Sequence, residues 1–217
     1  MSKTEKNILY WSNGQKKEEG FYFEGKEDGK WITYYESGEK ETERNYKNGK
    51  YEGDGIRWYK SGKMYGNQKF VNGKLEKWTC WYENGKMWKL NVYKGGEKNG
   101  DCFHWYDSGG IYMKETWVYG ILEKQTRYYV GTSSSPDNSL IECETIFKWS
   151  GMKDTYYYKN GKKKKEQNYK SIKLDGLYLS WYSNGEKMLE GKYKDGKKVD
   201  KWTYYNKTGS VKGVKEY

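Results

Sequence analysis

The stretch SWYSNGEKMLEGKYKDGKK, Ser180–Lys198, combines an aromatic pair, a glycine turn, a single aromatic residue and a second glycine turn. Related stretches occur earlier as TYYESGEKETERNYKNGK at 33–50, RWYKSGKMYGNQKFVNGK at 57–74 and CWYENGKMWKLNVYKGGEK at 80–98. The chain is therefore built from an internal repeat, and such a repeat is the first feature that constrains the fold.

Two kinds of glycine turn alternate with a period of about 24 residues. We call them pair turns when they follow two adjacent aromatic residues, and single turns when they follow one. The glycines of the pair turns are Gly14, Gly38, Gly62, Gly85, Gly109, Gly161, Gly185 and Gly209. Those of the single turns are Gly25, Gly49, Gly73, Gly96, Gly120 and Gly196.

The segments between these turns are about six to nine residues long, which suits strands and not helices. Turns such as KNG and SNG place glycine where a positive φ closes a hairpin. We therefore predict an all-β fold: an elongated, twisted antiparallel meander of about eight β-hairpin repeats. A single repeat domain, residues 1–217, would contain regular repeats over 1–130 and further repeats over 144–217.

One region departs from this spacing. Ile172 stands where a single-turn glycine is due, and the preceding single turn is expected near Gly151. An aromatic pair is due close to Tyr128 and Tyr129, which leaves a surplus in GTSSSPDNSLIEC, residues 131–143. This polar stretch holds the one proline of the chain, Pro136, and is predicted to be an inserted loop.

Alternation along the strands predicts two aromatic ladders, one on each face of the sheet. The residues three before the pair-turn glycines form the first: Trp11, Tyr35, Tyr59, Tyr82, Tyr106, Tyr128, Tyr158 and Tyr182. The residues before them form the second: Tyr10, Tyr34, Trp58, Trp81, Trp105, Arg127, Tyr157 and Trp181. Ring packing would then substitute for a two-layer core.

The composition agrees with a sheet held together by rings. Only 34% of the residues are hydrophobic and 33% are charged, yet aromatic residues make up 19%. Cys80, Cys102 and Cys143 have no metal-ligand spacing and are predicted to be reduced, partly buried thiols of a cytoplasmic protein. We find no apolar signal core at the N-terminus and no run long enough to span a membrane.

The sequence offers no set of residues for catalysis. His104 is the one histidine, the NGK triplets are turns without a phosphate-loop pattern, and the carboxylates are scattered. We therefore expect no enzyme, no catalytic residue, no cofactor and no metal site.

The repeats resemble the variant MORN repeats of bacterial proteins of the YwqK-type antitoxin group. GKWITYYESGEK at 29–40 and YKNGK at 46–50 carry the resemblance, as do LEKWTCWYENGK at 75–86 and KYKDGKKVDKWTYY at 192–205. It covers nearly the whole chain except the insert. The resemblance implies a twisted β-sheet that binds a toxin, another protein or a lipid head group.

Three sets of residues depart from the repeat and are candidates for partner binding. The insert contributes Ser134 and Asp137, and the run Lys162, Lys163, Lys164 and Lys165 concentrates positive charge. The third set joins tryptophans of the second ladder to the nearby arginines: Trp58, Trp81, Trp105, Trp181, Arg57 and Arg127. Aromatic and basic residues together suit both protein hot spots and stacking on single-stranded bases.

The net charge of +11 indicates an acidic partner, although a Lys-rich surface also serves solubility. The leading hypothesis is a non-enzymatic protein that docks on a protein partner and inhibits it, as an antitoxin or a phage-type inhibitor of a nuclease would, a CRISPR effector being one version. The alternatives are direct binding of RNA or single-stranded nucleic acid, and binding of anionic lipid. A homodimer through exposed edge strands is a further option.

Overall fold

The computed structural model describes residues 3–130 and 140–217. No helix forms in this part of the chain, and therefore none that could cross a bilayer. The strands divide between two compact units, residues 1–109 and 110–217. In both units each strand runs antiparallel to its partners, which confirms the predicted all-β hairpin meander.

The strands of the first unit follow one another through alternating pair turns and single turns. They are β1 (Thr4–Tyr10), β2 (Lys16–Phe23), β3 (Lys26–Tyr34), β4 (Lys40–Lys47), β5 (Lys50–Tyr51), β6 (Gly53–Trp58), β7 (Met64–Val71), β8 (Lys74–Trp81), β9 (Met87–Lys94), β10 (Glu97–Lys98) and β11 (Gly100–Trp105). The short β5 and β10 continue into β6 and β11 after a single irregular residue, and Gly53 and Gly100 have positive φ there.

The second unit repeats this pattern. Its strands are β12 (Ile111–Val118), β13 (Ile121–Tyr128), β14 (Ile141–Lys148), β15 (Gly151–Tyr157), β16 (Lys163–Lys170), β17 (Lys173–Trp181), β18 (Lys187–Lys194), β19 (Lys197–Tyr205) and β20 (Val211–Glu216). Residues 131–139 of the predicted insert lie outside the described residues. Residues 141–143 do not belong to a loop, because they begin β14, where Cys143 pairs with Arg127 and Tyr156.

The two kinds of turn are closed by local backbone chemistry. In the single turn after β4, Asn48 and Gly49 have φ values of 52° and 76°, as a two-residue hairpin loop requires. In the pair turn after β3, the Tyr35 amide donates to the Glu39 carbonyl and the Gly38 amide donates to the Tyr35 carbonyl, both at 2.9 Å. The same pair of bonds recurs after β6, β8, β15 and β17.

Buried tryptophans lie over glycines in both units. Trp31 covers Gly20, and its indole nitrogen donates to the Phe21 carbonyl at 3.2 Å. Trp202 covers Gly191 in the same way, and a Cβ added at Gly191 would lie 2.2 Å from the Trp202 ring. A single sheet can bury a large ring only where the facing position has no side chain, so these glycines are part of the core.

Candidate partner-binding surfaces

The first aromatic ladder is a set of links between successive repeats. The Tyr59 hydroxyl donates to the Trp81 carbonyl at 2.9 Å, and the Tyr82 hydroxyl donates to the Trp105 carbonyl at 2.8 Å. Ring contacts of Tyr59 with Tyr65, and of Tyr82 with Trp88, add to these links. The tyrosines of the first ladder therefore stabilise the fold by linking one repeat to the next.

One assignment in this ladder was wrong. Tyr129, not Tyr128, occupies the pair-turn position, since its hydroxyl donates to the Tyr157 carbonyl at 2.7 Å and its amide donates to the Leu140 carbonyl. Tyr128 then occupies the position of the second ladder that the sequence assigned to Arg127. Arg127 lies one residue before that position and pairs with Cys143 on β14. The step from Gly120 to Tyr129 equals the step from Gly73 to Tyr82, so the shorter spacing already present in the sequence could have indicated this.

The second series is not a continuous ladder of rings. Trp58, Trp81 and Trp105 end β6, β8 and β11 of the first unit. Each lies two strand spacings from the next, about 9.5 Å, which exceeds the separation of interacting rings. Among the described residues Trp58 and Trp81 make no ring contact with each other, and Trp105 contacts Phe103 at 5.8 Å. Trp181 occupies the same repeat position in the second unit.

Lysines and glutamates accompany this series. The Lys40 ammonium lies 5.8 Å from the Trp58 ring and 3.1 Å from the Glu43 carboxylate. Lys163 does the same in the second unit, 5.7 Å from the Trp181 ring and 2.5 Å from Glu166. The positive charge beside these tryptophans is thus paired with negative charge.

Arg57 does not share a surface with the tryptophans that the sequence analysis placed in the same candidate set. It is adjacent to Trp58 on β6, so the two side chains point to opposite faces. The Arg57 guanidinium donates to Glu41 at 3.1 Å and lies 5.4 Å from the Tyr65 ring. Arg127 pairs with Cys143 across β13 and β14, and interaction with the Cys143 side chain raises the pKa of Arg127, whereas burial raises the pKa of the Cys143 thiol.

The four lysines after Asn160 are not presented together. Lys162 donates to the Asn184 carbonyl at 2.7 Å, whereas Lys163 lies beside Trp181. On β16, the Lys164 ammonium lies 5.7 Å from the Tyr158 ring and the Lys165 ammonium lies 4.4 Å from the Tyr156 ring. The run therefore forms a strand with charge distributed among different contacts. Ser134 and Asp137 lie outside the described residues.

The three cysteines and the histidine are interior residues. Cys80, Cys102 and Cys143 are buried, and burial raises the pKa of Cys80 to about 11. His104 is buried on β11 opposite Lys89. Within residues 3–130 and 140–217, no group of three or more histidine, cysteine or acidic side chains could hold a metal ion.

A surface that the sequence analysis did not predict lies at the single-turn edge of the second unit. Three successive single turns there carry large apolar residues: Tyr119 is 62% exposed, Trp149 is fully exposed and Ile172 is 90% exposed. Elsewhere this place in the turn holds polar residues or glycine, such as Asn48 and Asn72. We call Tyr119, Trp149 and Ile172 the apolar turn row.

A groove accompanies the row. An open cavity of about 800 Å³ lies between the β12–β13 and β14–β15 hairpins, and its walls are mostly apolar. Val118, Ile121 and Phe147 line it together with Tyr119 and Trp149. Exposed lysines flank the row in sequence at positions 148, 170 and 173, while Glu123 is the acidic residue in the lining. In the sequence, the apolar turn row was indicated by large apolar residues at turn positions that elsewhere hold polar residues or glycine.

Comparison with known proteins identifies the repeat. The model of the "MORN repeat variant" matches residues 27–48, 77–94, 155–171 and 174–195. These segments are similar to variant MORN repeats. Each begins in one strand, continues through a pair turn and ends at or near the following single turn, and together they cover less than half of the chain.

Neither of the other comparisons adds information on function. No curated protein matches the chain. A chain of the solved structure "Crystal Structure of TcdB2-TccC3-Cdc42" matches at 10% identity, over 96% of this chain but only 12% of that one. The TM-score is 0.24, too low to support any conclusion about this chain.

Proposed function

We propose that this MORN-repeat chain is a non-enzymatic protein that binds a protein partner through the apolar turn row and inhibits it by occlusion. The observation that carries the proposal is the full exposure of Trp149 between Tyr119 and Ile172. Exposed apolar groups of this size on a charged surface are typical of interaction sites, and tryptophan and tyrosine dominate interface hot spots.

The charge around the row indicates the chemistry of the partner. Lys148, Lys170 and Lys173 are exposed beside it, and the chain carries a net charge of +11. A partner with an apolar depression and an acidic rim would complement this surface. An enzyme that handles nucleic acid, with acidic residues at the edge of its site, is one such partner, and an antitoxin-like or nuclease-inhibitor role is the form that we propose to test.

Direct binding of RNA or single-stranded nucleic acid has less support. Binding of a nucleic-acid backbone needs positive charge along a continuous track of the surface. Lys40 and Lys163, which lie beside the tryptophans Trp58 and Trp181, are paired with glutamates. Nucleic-acid binding, anionic-lipid binding and a homodimer through edge strands stay predictions and serve as alternative outcomes of the test.

The test compares the wild-type protein with two variants of matched character. Trp149→Ala removes the centre of the apolar turn row, and Leu9→Ala removes an exposed apolar side chain of the first unit. Tagged proteins are incubated with host lysate treated with nuclease, at low and high salt, and the captured protein is then purified for calorimetry.

We expect one stoichiometric protein that survives high salt, binds the Leu9→Ala variant as well as wild type, and loses affinity for Trp149→Ala by about tenfold or more. If the captured protein is a nuclease, wild type should lower its activity and Trp149→Ala should not. Equal affinity for Trp149→Ala, recovery of nucleic acid alone, or concentration-dependent self-association abolished by Trp149→Ala would each overturn the proposal.

A further inference from the structure

A second recess, in the first unit, lies on the sheet face to which Arg57 points. It has a volume of about 170 Å³ and crosses β4, β6, β7 and β8. Its floor is formed at Gly55 and Gly66, which are buried on neighbouring strands. Because glycine has no side chain, these two positions leave a depression in this face of the sheet.

The recess collects two of the three arginines of the chain. Arg44 lines it from β4 and Arg57 from β6. Thr42 pairs with Arg57, and Arg44 lies two residues further along β4, so the two arginines are diagonal neighbours on one face. In a chain where lysine supplies almost all positive charge, the choice of arginine at both positions favours planar, forked hydrogen bonding.

Both guanidinium groups are held in place and keep free donors. Arg44 donates to the Tyr51 hydroxyl at 3.2 Å, and its guanidinium lies 5.5 Å from the Tyr51 ring. Arg57 donates to Glu41 at 3.1 Å. Each guanidinium has five N–H donors, so most of them remain available after these contacts.

The rest of the lining adds neutral donors. The Trp78 indole nitrogen lies 3.3 Å from the position that a Cβ at Gly66 would occupy, so this nitrogen is next to the floor of the recess. Trp31 and Trp202 direct the equivalent N–H to a backbone carbonyl. Within the described part of the chain, neither the Trp78 indole nor the Gln68 amide has a hydrogen-bond partner, and no carboxylate lines the recess.

We propose that this recess is a binding site for a compact, doubly charged oxyanion, namely the phosphoryl group of a small phosphate monoester or free phosphate. Two guanidinium groups, an indole N–H and an amide surround it, and this set matches an acceptor-only ligand. A volume of about 170 Å³ is large enough for a phosphoryl group. The site lies in the first unit and does not depend on the apolar turn row.

Calorimetric titration of the full chain with inorganic phosphate and with glycerol phosphate tests the proposal at about pH 7.5, where a phosphate monoester is mostly a dianion. We expect saturable binding with about one phosphate per chain, and Arg44→Gln or Arg57→Gln should weaken it about tenfold or more. Gly55→Ala should also weaken it, because the added methyl group fills the floor at ordinary contact distances from Arg44 and Phe70.

Lys69→Gln is the matched control, since Lys69 is exposed on β7 and does not line the recess. It should change the dissociation constant less than about twofold. Vesicles containing phosphatidic acid, titrated in parallel, separate a lipid source of the phosphate group from a soluble one. The proposal fails if no saturable binding occurs, or if Lys69→Gln weakens binding as much as Arg44→Gln in variants whose thermal unfolding is unchanged.

Discussion

The Tyr35 hydroxyl donates a 2.7 Å hydrogen bond to the backbone carbonyl of Trp58, 23 residues further along the chain. The same link joins Tyr158 to Trp181 and Tyr182 to Tyr205, at 2.8 Å and 2.9 Å. Each repeat thereby satisfies a backbone acceptor of the next one. The link recurs from repeat to repeat and gives the sequence period a physical basis.

Removing one such link should destabilise the first unit. Tyr59→Phe keeps the ring contact with Tyr65 and loses only the hydrogen bond to the Trp81 carbonyl. We expect the free energy of unfolding to fall by about 1 kcal/mol, measured by urea denaturation. Tyr10→Phe is the control, because Tyr10 is exposed and should change stability little. Equal stability of Tyr59→Phe and wild type would mean that the link contributes nothing.

The glycine beneath Trp202 should be intolerant of any side chain. An alanine Cβ at Gly191 would lie 2.2 Å from the ring, so either the indole or the strand must move. We expect Gly191→Ala to lower the free energy of unfolding by about 2 kcal/mol or more. Gly213→Ala, on β20, has open space around the added atom and should be neutral or slightly stabilising. Similar values for the two variants would contradict the packing described.

The apolar turn row should contribute to binding and not to stability. Trp149 is fully exposed, so Trp149→Ser should leave the free energy of unfolding within about 0.5 kcal/mol of wild type. Trp202→Ala, in contrast, removes a fully buried ring and should cost about 3–5 kcal/mol. A hydrophobic dye that binds the native protein should bind Trp149→Ser less. A clear loss of stability in Trp149→Ser would show that the row packs within the fold.

Paired carboxylates predict a loss of stability in acid. The hydrogen bond from Lys30 is the largest cause that lowers the pKa of Glu43 below 4.5, with Lys40 adding to it against the opposing effect of burial. A carboxylate whose pKa is lower in the folded state than in the unfolded state stabilises the fold at any pH above its unfolded-state pKa. This stabilisation is lost as the pH falls through the folded-state pKa. Urea denaturation of Glu43→Gln between about pH 7 and about pH 3 should therefore show lower stability at neutral pH and a shallower acid decline. An unchanged slope would exclude Glu43 as a contributor.

The turns and the strand lengths were predictable because both are local properties. Asn48 and Gly49 adopt left-handed conformations that few other residues accept, so their spacing marks the hairpins. The boundary at Ile141–Cys143 was not predictable from composition, because a polar low-complexity stretch does not show where strand pairing resumes. Tyr128 was misplaced for a related reason, since two adjacent tyrosines satisfy the same aromatic-pair pattern, and the hydrogen bond of Tyr129 to Tyr157 distinguishes them.

The candidate sites were less predictable than the fold. Lys162 to Lys165 form a cluster in the sequence, but alternation along β16 and the contacts with Tyr156 and Tyr158 disperse their charge. Arg57 and Trp58 are neighbours in the chain and point to opposite faces. Arg44 and Arg57 are far apart in the sequence, and strand pairing makes them neighbours across a floor of two glycines.

By itself, the sequence determined the all-β class, the two alternating turns and the repeat that they define, because backbone conformation at glycine and asparagine and the alternation of side chains are short-range effects. Tertiary structure alone decided which residues meet across strands and which remain exposed. Register brings Trp202 over Gly191 and leaves Trp149 in solvent, although both are tryptophans near a hairpin of the same unit. The reason is that burial in a single sheet depends on the facing strand, and no local pattern specifies that strand.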